Sequence, residues 1–124
     1  MKFASVRLVT EAFDPLVTFY HLLSGVEPMH LAEGFAELRL PGAVLAISSA
    51  QLVQRFNAGA AIAAANRSAI LEFEVDDVDA VAQRMQLQGV EMVMPVTVMP
   101  WGNRSLLLRD PDGSLVNVFS RPLG

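Results

Sequence analysis

The sequence predicts an α+β fold made of two βαβββ modules. Three observations carry that expectation: an internal repeat, a change of apolar period within each copy, and turn residues that divide the rest of each copy into three strands. Ser5-Val6-Arg7-Leu8-Val9-Thr10-Glu11-Ala12-Phe13-Asp14 lies over Ile70-Leu71-Glu72-Phe73-Glu74-Val75-Asp76-Asp77-Val78-Asp79, with apolar positions and the final aspartate in step. Further along, Gly25-Val26-Glu27 lies over Gly89-Val90-Glu91, the second copy being one residue shorter.

Each copy opens with β-branched and aromatic residues, as a strand does, and then turns to a period near 3.6, as a helix does. In the first copy Asp14 is placed to accept from free N–H groups as N-cap, and Pro15 to take the first helical position. Phe13, Leu16, Phe19, Tyr20 and Leu23 form the stripe to be buried, and Gly25 offers the left-handed residue that closes the helix. Strands follow over 27–32, 35–40 and 43–49, parted by Glu33-Gly34 and Pro41-Gly42. Residues 50–56 suit a short helix, and 57–67 a small-residue linker. In the second copy Asp77 is the expected cap, Val78, Val81, Ala82 and Met85 the buried stripe, and Gly89 the stop. Its further strands fall over 92–98, 105–109 and 115–120, joined through Pro100-Trp101-Gly102-Asn103 and Asp110-Pro111-Asp112-Gly113. The expected organisation is a single domain: module one 1–49, linker 50–67, module two 68–124.

Composition narrows the function classes. At 124 residues, 52% hydrophobic and 18% charged, the chain holds enough apolar surface to offset conformational entropy, unlike a disordered chain. A net charge of −4 with nine scattered Lys and Arg argues against a nucleic-acid partner, which needs clustered positive charge. No run approaches the roughly 20 apolar residues that span a bilayer, so no membrane partner is expected. Arg7 interrupts what a secretory leader would need as an apolar core, and the absence of cysteine fits a reducing compartment. The expectation is a cytoplasmic protein.

In order and spacing, four features resemble the vicinal oxygen chelate superfamily, which joins glyoxalases, bleomycin resistance proteins and extradiol dioxygenases. They are a first strand ending in an acidic residue, a helix carrying Phe19-Tyr20 and closing on Gly25, the entry Val75-Asp76-Asp77-Val78-Asp79, and Arg109-Asp110-Pro111-Asp112-Gly113 before the last strand. The resemblance spans nearly the whole chain. It implies two curved mixed sheets of four strands around a cavity, helices outside, and commonly a homodimer. Strand alternation then sends Val6, Leu8, Leu71, Phe73 and Val75 toward the helices. Ser5, Arg7, Val9, Ile70, Glu72 and Glu74 face the other way, with Val44, Ala46, Ser48, Leu115, Asn117 and Phe119.

Metal-dependent members of this superfamily place a His or Glu on the first and last strands of each copy. Those positions fall here on Ser5, Ala46, Ile70 and Asn117. Alanine and isoleucine have no lone pair to give, and a neutral hydroxyl with a neutral amide cannot hold a first-row dication against water. No metal and no cofactor are therefore expected. His21 and His30 lack acidic neighbours at helical or strand spacing to complete a chelate, and are expected as a solvent-facing helix residue and a partly exposed strand residue.

Arg7 and Glu72 occupy equivalent positions in the two copies. They are expected either to pair with each other or to bind a ligand, Arg7 through an anionic or carbonyl oxygen and Glu72 through a hydroxyl or amine; Glu72 is also the one candidate for a catalytic base. Trp101, the sole tryptophan, lies beside Gly102 in a connection where it could stack on a planar ligand or plug the sheet end, with Arg104 adding charge. Phe56 shares that ambiguity, and Asn117 could hydrogen-bond a ligand or a nearby backbone group. Met92, Met94 and Met99 offer an adaptable apolar wall or core filler. The leading expectation is a metal-independent protein of bleomycin-resistance type that sequesters a small, partly aromatic or amphipathic molecule. The alternatives are a glyoxalase-like lyase, isomerase or dioxygenase with a different metal arrangement or Glu72 as base, and a dimer module with a vestigial pocket.

Overall fold

β-Branched and aromatic runs set the strands, and the apolar stripes set the helices. In a computed structural model describing residues 1–122 the order is β1 (Ser5–Thr10), α1 (Phe13–Ser24), β2 (Met29–Ala32), β3 (Phe35–Leu40), β4 (Ala43–Ser49) and α2 (Ala50–Phe56). It continues with β5 (Ile70–Glu74), α3 (Val78–Leu87), β6 (Met92–Val98), β7 (Arg104–Arg109) and β8 (Leu115–Ser120). This is the βαβββ unit twice, with α2 in the expected connection. Chain contacts define two units, Met1–Ala65 and Asn66–Gly124, whose boundary falls inside the 50–67 segment.

In unit one the sheet order is β1-β4-β3-β2, with β1 parallel to β4 and the other pairs antiparallel. One face buries Ala36, Leu38, Leu45 and Ile47, and α1 lies against β3 and β4 with Leu16, Val17, Phe19, Tyr20 and Leu23 buried. Each large side chain removed from water here contributes about 1.5–3 kcal/mol. Val6 shares the face of Leu45, but on edge strand β1 it remains 39% exposed. β2 begins at Met29 rather than residue 27, because Pro28 has no N–H to give a ladder.

The entry to α1 differs from expectation. The helix starts at Phe13, its N-cap is Ala12, and no side chain caps it. Thr10 Oγ1 accepts the Ala12 N–H at 2.9 Å instead, and Asp14 sits inside the first turn, where its charge opposes the positive helix end. Gly25 ends the helix at φ 73° as expected, its N–H donating to the His21 carbonyl at 2.8 Å.

Unit two has the matching order β5-β8-β7-β6, with β5 parallel to β8 and β7 antiparallel to both its neighbours. Leu106, Leu108, Val116 and Val118 are fully buried on the face that α3 covers with Val78, Val81 and Met85. Asp77 caps α3 as expected, its Oδ1 accepting from Ala80 N–H at 3.0 Å. β6 pairs irregularly around Met94, next to Pro95, which interrupts the donor series. Among the described residues no helix is long and apolar enough to cross a membrane.

Candidate functional site

Residues paired across a sheet share a face, so the register identifies what lies opposite the helices. In unit two Val116 and Val118 pack toward α3, and the intervening Asn117 points away. Its partners are Glu72 on β5 and Leu107 on β7, and Leu107 is in turn opposite Met94 on β6. A row Glu72, Asn117, Leu107, Met94 thus crosses the helix-free face. The corresponding row in unit one is Arg7, Ala46, Glu37, Met29.

The centre of the unit-two row is a hydrogen bond. Asn117 Nδ2 donates to Glu72 Oε2 at 2.8 Å. The carboxylate fixes the amide's orientation, because turning it over would set oxygen against oxygen. Asn117 Oδ1 is then left shielded from solvent with no hydrogen-bond donor among the described residues. Glu72 itself is exposed. Its neighbour along the strand, Glu74, pairs with Arg121 at 3.3 Å, and Arg121 also lies over the Phe119 ring at 5.5 Å.

In unit one Arg7 is exposed, with Nη2 donating to Asn57 Oδ1 at 3.0 Å and its guanidinium 5.7 Å from the Phe35 ring centre. Arg7 and Glu72 therefore each hold a partner inside their own unit. Ser48, on the same face as Arg7, is fully buried and its Oγ has no partner among the described residues. Two residues on or beside these faces were not foreseen. Glu37 takes two bonds from Arg39, at 3.0 and 2.9 Å, and the alternation Glu37-Leu38-Arg39 was the signal that both charges share one face. Asn57 has no comparable signal, since only the packing of α2 against β1 brings it to Arg7.

The other candidates lie elsewhere. Arg104 alternates with Leu106 and Leu108, so it emerges on the helix side of β7. There its Nε and Nη2 donate to Asp79 Oδ2 and Oδ1 at 3.1 and 2.9 Å. These hydrogen bonds hold the Asp79 carboxyl below the ordinary aspartate range and raise the Arg104 guanidinium. Trp101 is 68% exposed in the turn between β6 and β7, a turn closed by Gly102 N–H on the Met99 carbonyl and Met99 N–H on the Asn103 carbonyl. Phe56 is 69% exposed at the end of α2, with Arg55 over its ring at 5.3 Å.

The four positions expected of a metal site, Ser5, Ala46, Ile70 and Asn117, offer one hydroxyl and one amide, a set that does not fit a divalent metal. Ser5 lies opposite Val44 and Ile70 opposite Leu115, whereas Ala46 and Asn117 lie opposite Arg7 and Glu72. Among the described residues no group of three or more His, Cys, Asp or Glu could hold an ion. His21 is half-buried rather than solvent-facing, because Val26 folds back over it: Nδ1 donates to the Val26 carbonyl at 2.9 Å, and Nε2 is 3.8 Å from Glu27. His30 is exposed and meets Phe13 edge-on at 6.1 Å.

Comparison with known proteins agrees with this architecture. A glyoxalase/bleomycin resistance protein/dioxygenase from Nocardioides is 25% identical with a TM-score of 0.79, over 100% of this chain and 85% of that one. A glyoxalase-related enzyme from Fulvimarina pelagi is 22% identical with a TM-score of 0.82, over 100% and 93%. A glyoxalase/bleomycin resistance protein/dioxygenase family enzyme from Burkholderia phytofirmans PsJN, 13% identical, has a TM-score of 0.83 over 97% and 98%. No curated protein matches. The family model of the Glyoxalase/Bleomycin resistance protein/Dioxygenase superfamily matches residues 2–118, and with the doubled βαβββ topology this makes the chain a member of that superfamily.

Proposed function

We propose that this protein binds a small, partly aromatic or amphipathic molecule against the helix-free faces of its sheets without a metal ion, in the manner of a bleomycin-resistance protein, and that it works as a homodimer. One observation carries the reading. Asn117, at a position where metal-dependent relatives are expected to hold an ion, is an oriented amide whose oxygen is buried and lacks a donor. A buried acceptor without a partner is unfavourable, so a ligand that supplies the donor gains more than it would at an exposed amide. Around it Leu107, Leu115 and Phe119 are half-buried apolar neighbours on the same face. Few polar groups set among apolar ones is the usual composition of a small-molecule site. In unit one Arg7 holds the position equivalent to Glu72, and Phe56 and Trp101, one in each unit, are exposed rings on which an aromatic molecule can stack.

A thermal-shift screen of aromatic and amphipathic metabolites and antibiotics in the presence of EDTA, followed by native mass spectrometry, tests the reading. A ligand that raises the melting temperature with EDTA present, and fails to do so with Asn117→Ala, is the expected result. Binding that appears only after divalent metal is added contradicts it.

A further inference from the structure

The binding reading leaves open what kind of molecule is taken. Two acceptors lie on the helix-free face of unit two without donors. Asn117 Oδ1 is shielded and unpartnered, and Glu72 Oε1 accepts from no described residue, because the single bond to that carboxylate arrives at Oε2. Among the described residues no cationic side chain lies within ion-pair distance of Glu72; the nearby acid that has one is Glu74, held by Arg121. The face therefore carries an exposed negative charge beside a shielded neutral acceptor; of its cations, Arg121 is held by Glu74, and Arg109, two residues along β7 from Leu107, donates to the Gly113 carbonyl. Asn117 cannot turn its NH2 outward to serve an anion without setting its oxygen against Glu72.

Apart from Glu74, which Arg121 holds, and Ser105 and Arg109 at the two ends of β7, the side chains around this pair are apolar. Ile70 and Leu115 lie on one side along the strands, Phe119 on the other, and Leu107 and Met94 continue the row across the sheet. An acceptor pair bordered by Ile70, Leu115, Phe119, Leu107 and Met94 selects a ligand with a compact donor head and an apolar body. A charged nitrogen forms stronger hydrogen bonds to a carboxylate than a neutral donor does. An anion meets the uncompensated Glu72 and is repelled.

We infer that the ligand bears a cationic nitrogen head, a primary ammonium or an amidinium, received jointly by the Glu72 carboxylate and Asn117 Oδ1, with its aromatic or aliphatic body laid over Leu107, Leu115 and Met94. This inference rests on the binding reading and adds the sign of the charge to it.

Three near-isosteric probes separate the possibilities: benzamidine, benzamide and benzoate, each titrated into the 15N-labelled full chain and followed through the Asn117 side-chain NH2 and the backbone amides of β5 and β8. Benzamidine is expected to bind at least ~10-fold more tightly than benzamide, a preference of ~1.4 kcal/mol, and benzoate more weakly than either. Glu72→Gln keeps the shape of the side chain and is expected to lower the preference for benzamidine over benzamide to about twofold or less. Equal binding of benzamidine and benzamide on β5 and β8 overturns the charge selection and leaves the binding reading standing. Tighter binding of benzoate overturns it in the opposite sense. If none of the three moves a resonance on β5 or β8, this inference and the assignment of the binding face fall together.

Discussion

Glu72 and Asn117, neighbours across the parallel pair β5 and β8, share one hydrogen bond of 2.8 Å that uses a single carboxylate oxygen and a single amide hydrogen. That bond fixes which end of the amide is left without a partner, and the account of function depends on it. Replacing Asn117 by aspartate sets two carboxylates against each other in the same geometry. The expected result at pH 7 is a loss of about 1 kcal/mol in urea unfolding, since like charges directly opposite in a sheet are destabilising. Acidification that protonates one of the pair removes the repulsion. The deficit therefore shrinks as pH falls, and a pH-independent deficit would assign the loss to packing.

The two helix starts predict unequal effects of equivalent substitutions. Asp77→Ala removes the acceptor that holds Ala80 N–H and is expected to cost about 1 kcal/mol. Asp14→Ala removes only a first-turn charge at a helix whose N-cap is Ala12, and is expected to cost about 0.5 kcal/mol or less. Chemical denaturation of the two variants beside the parent checks the difference.

Asp79 and Arg104 predict a pH and salt dependence on the opposite side of the sheet. The Arg104 hydrogen bonds lower the folded-state pKa of Asp79, so their stabilisation is present above the ordinary aspartate value and is lost as pH falls through the lowered one. NMR titration of the Asp79 carboxyl is expected to show the depressed value at low salt, a smaller depression at high salt, and a return to the ordinary range in Arg104→Gln.

Two glycines at positive φ separate backbone strain from side-chain interference. Gly25, at φ 73°, has open space where a Cβ would lie, so Gly25→Ala is expected to cost about 1–2 kcal/mol from the left-handed backbone alone. At Gly34, φ 78°, a Cβ would come within 2.6 Å of Ser49 Oγ, the group that caps α2 by accepting from Leu52 N–H. Gly34→Ala is therefore expected to cost about 1 kcal/mol more, through the displaced cap. Equal melting temperatures for the two variants would contradict that coupling.

These contrasts show which features the sequence carries. The repeat and its turn residues give both modules because they are local signals, and Asp77 is legible as a cap because an acidic side chain directly precedes the apolar stripe. Asp14 satisfies the same pattern, yet Thr10 reaches the free N–H of Ala12 first and Phe13 joins the helix, a competition that composition does not reveal. Arg104 was expected near a ligand from its place beside Trp101, although its alternation with Leu106 and Leu108 already puts it on the buried face; only the tertiary position of Asp79 completes that reading. The Glu72 and Asn117 contact depends on the register between β5 and β8, which strand order alone leaves undetermined.

The most direct test is a metal inventory. Purified protein is equilibrated in turn with zinc, iron(II), nickel and manganese, passed through a desalting column, and its retained metal measured by inductively coupled plasma mass spectrometry beside Glu72→Gln, His30→Ala and Asn117→Ala variants. Retained metal far below one equivalent per chain, unchanged among the variants, is the result expected of faces on which Glu37 and Glu74 are paired with arginines and Glu72 has a neutral amide beside it. One equivalent held by the parent chain and released by any of the three substitutions would contradict it.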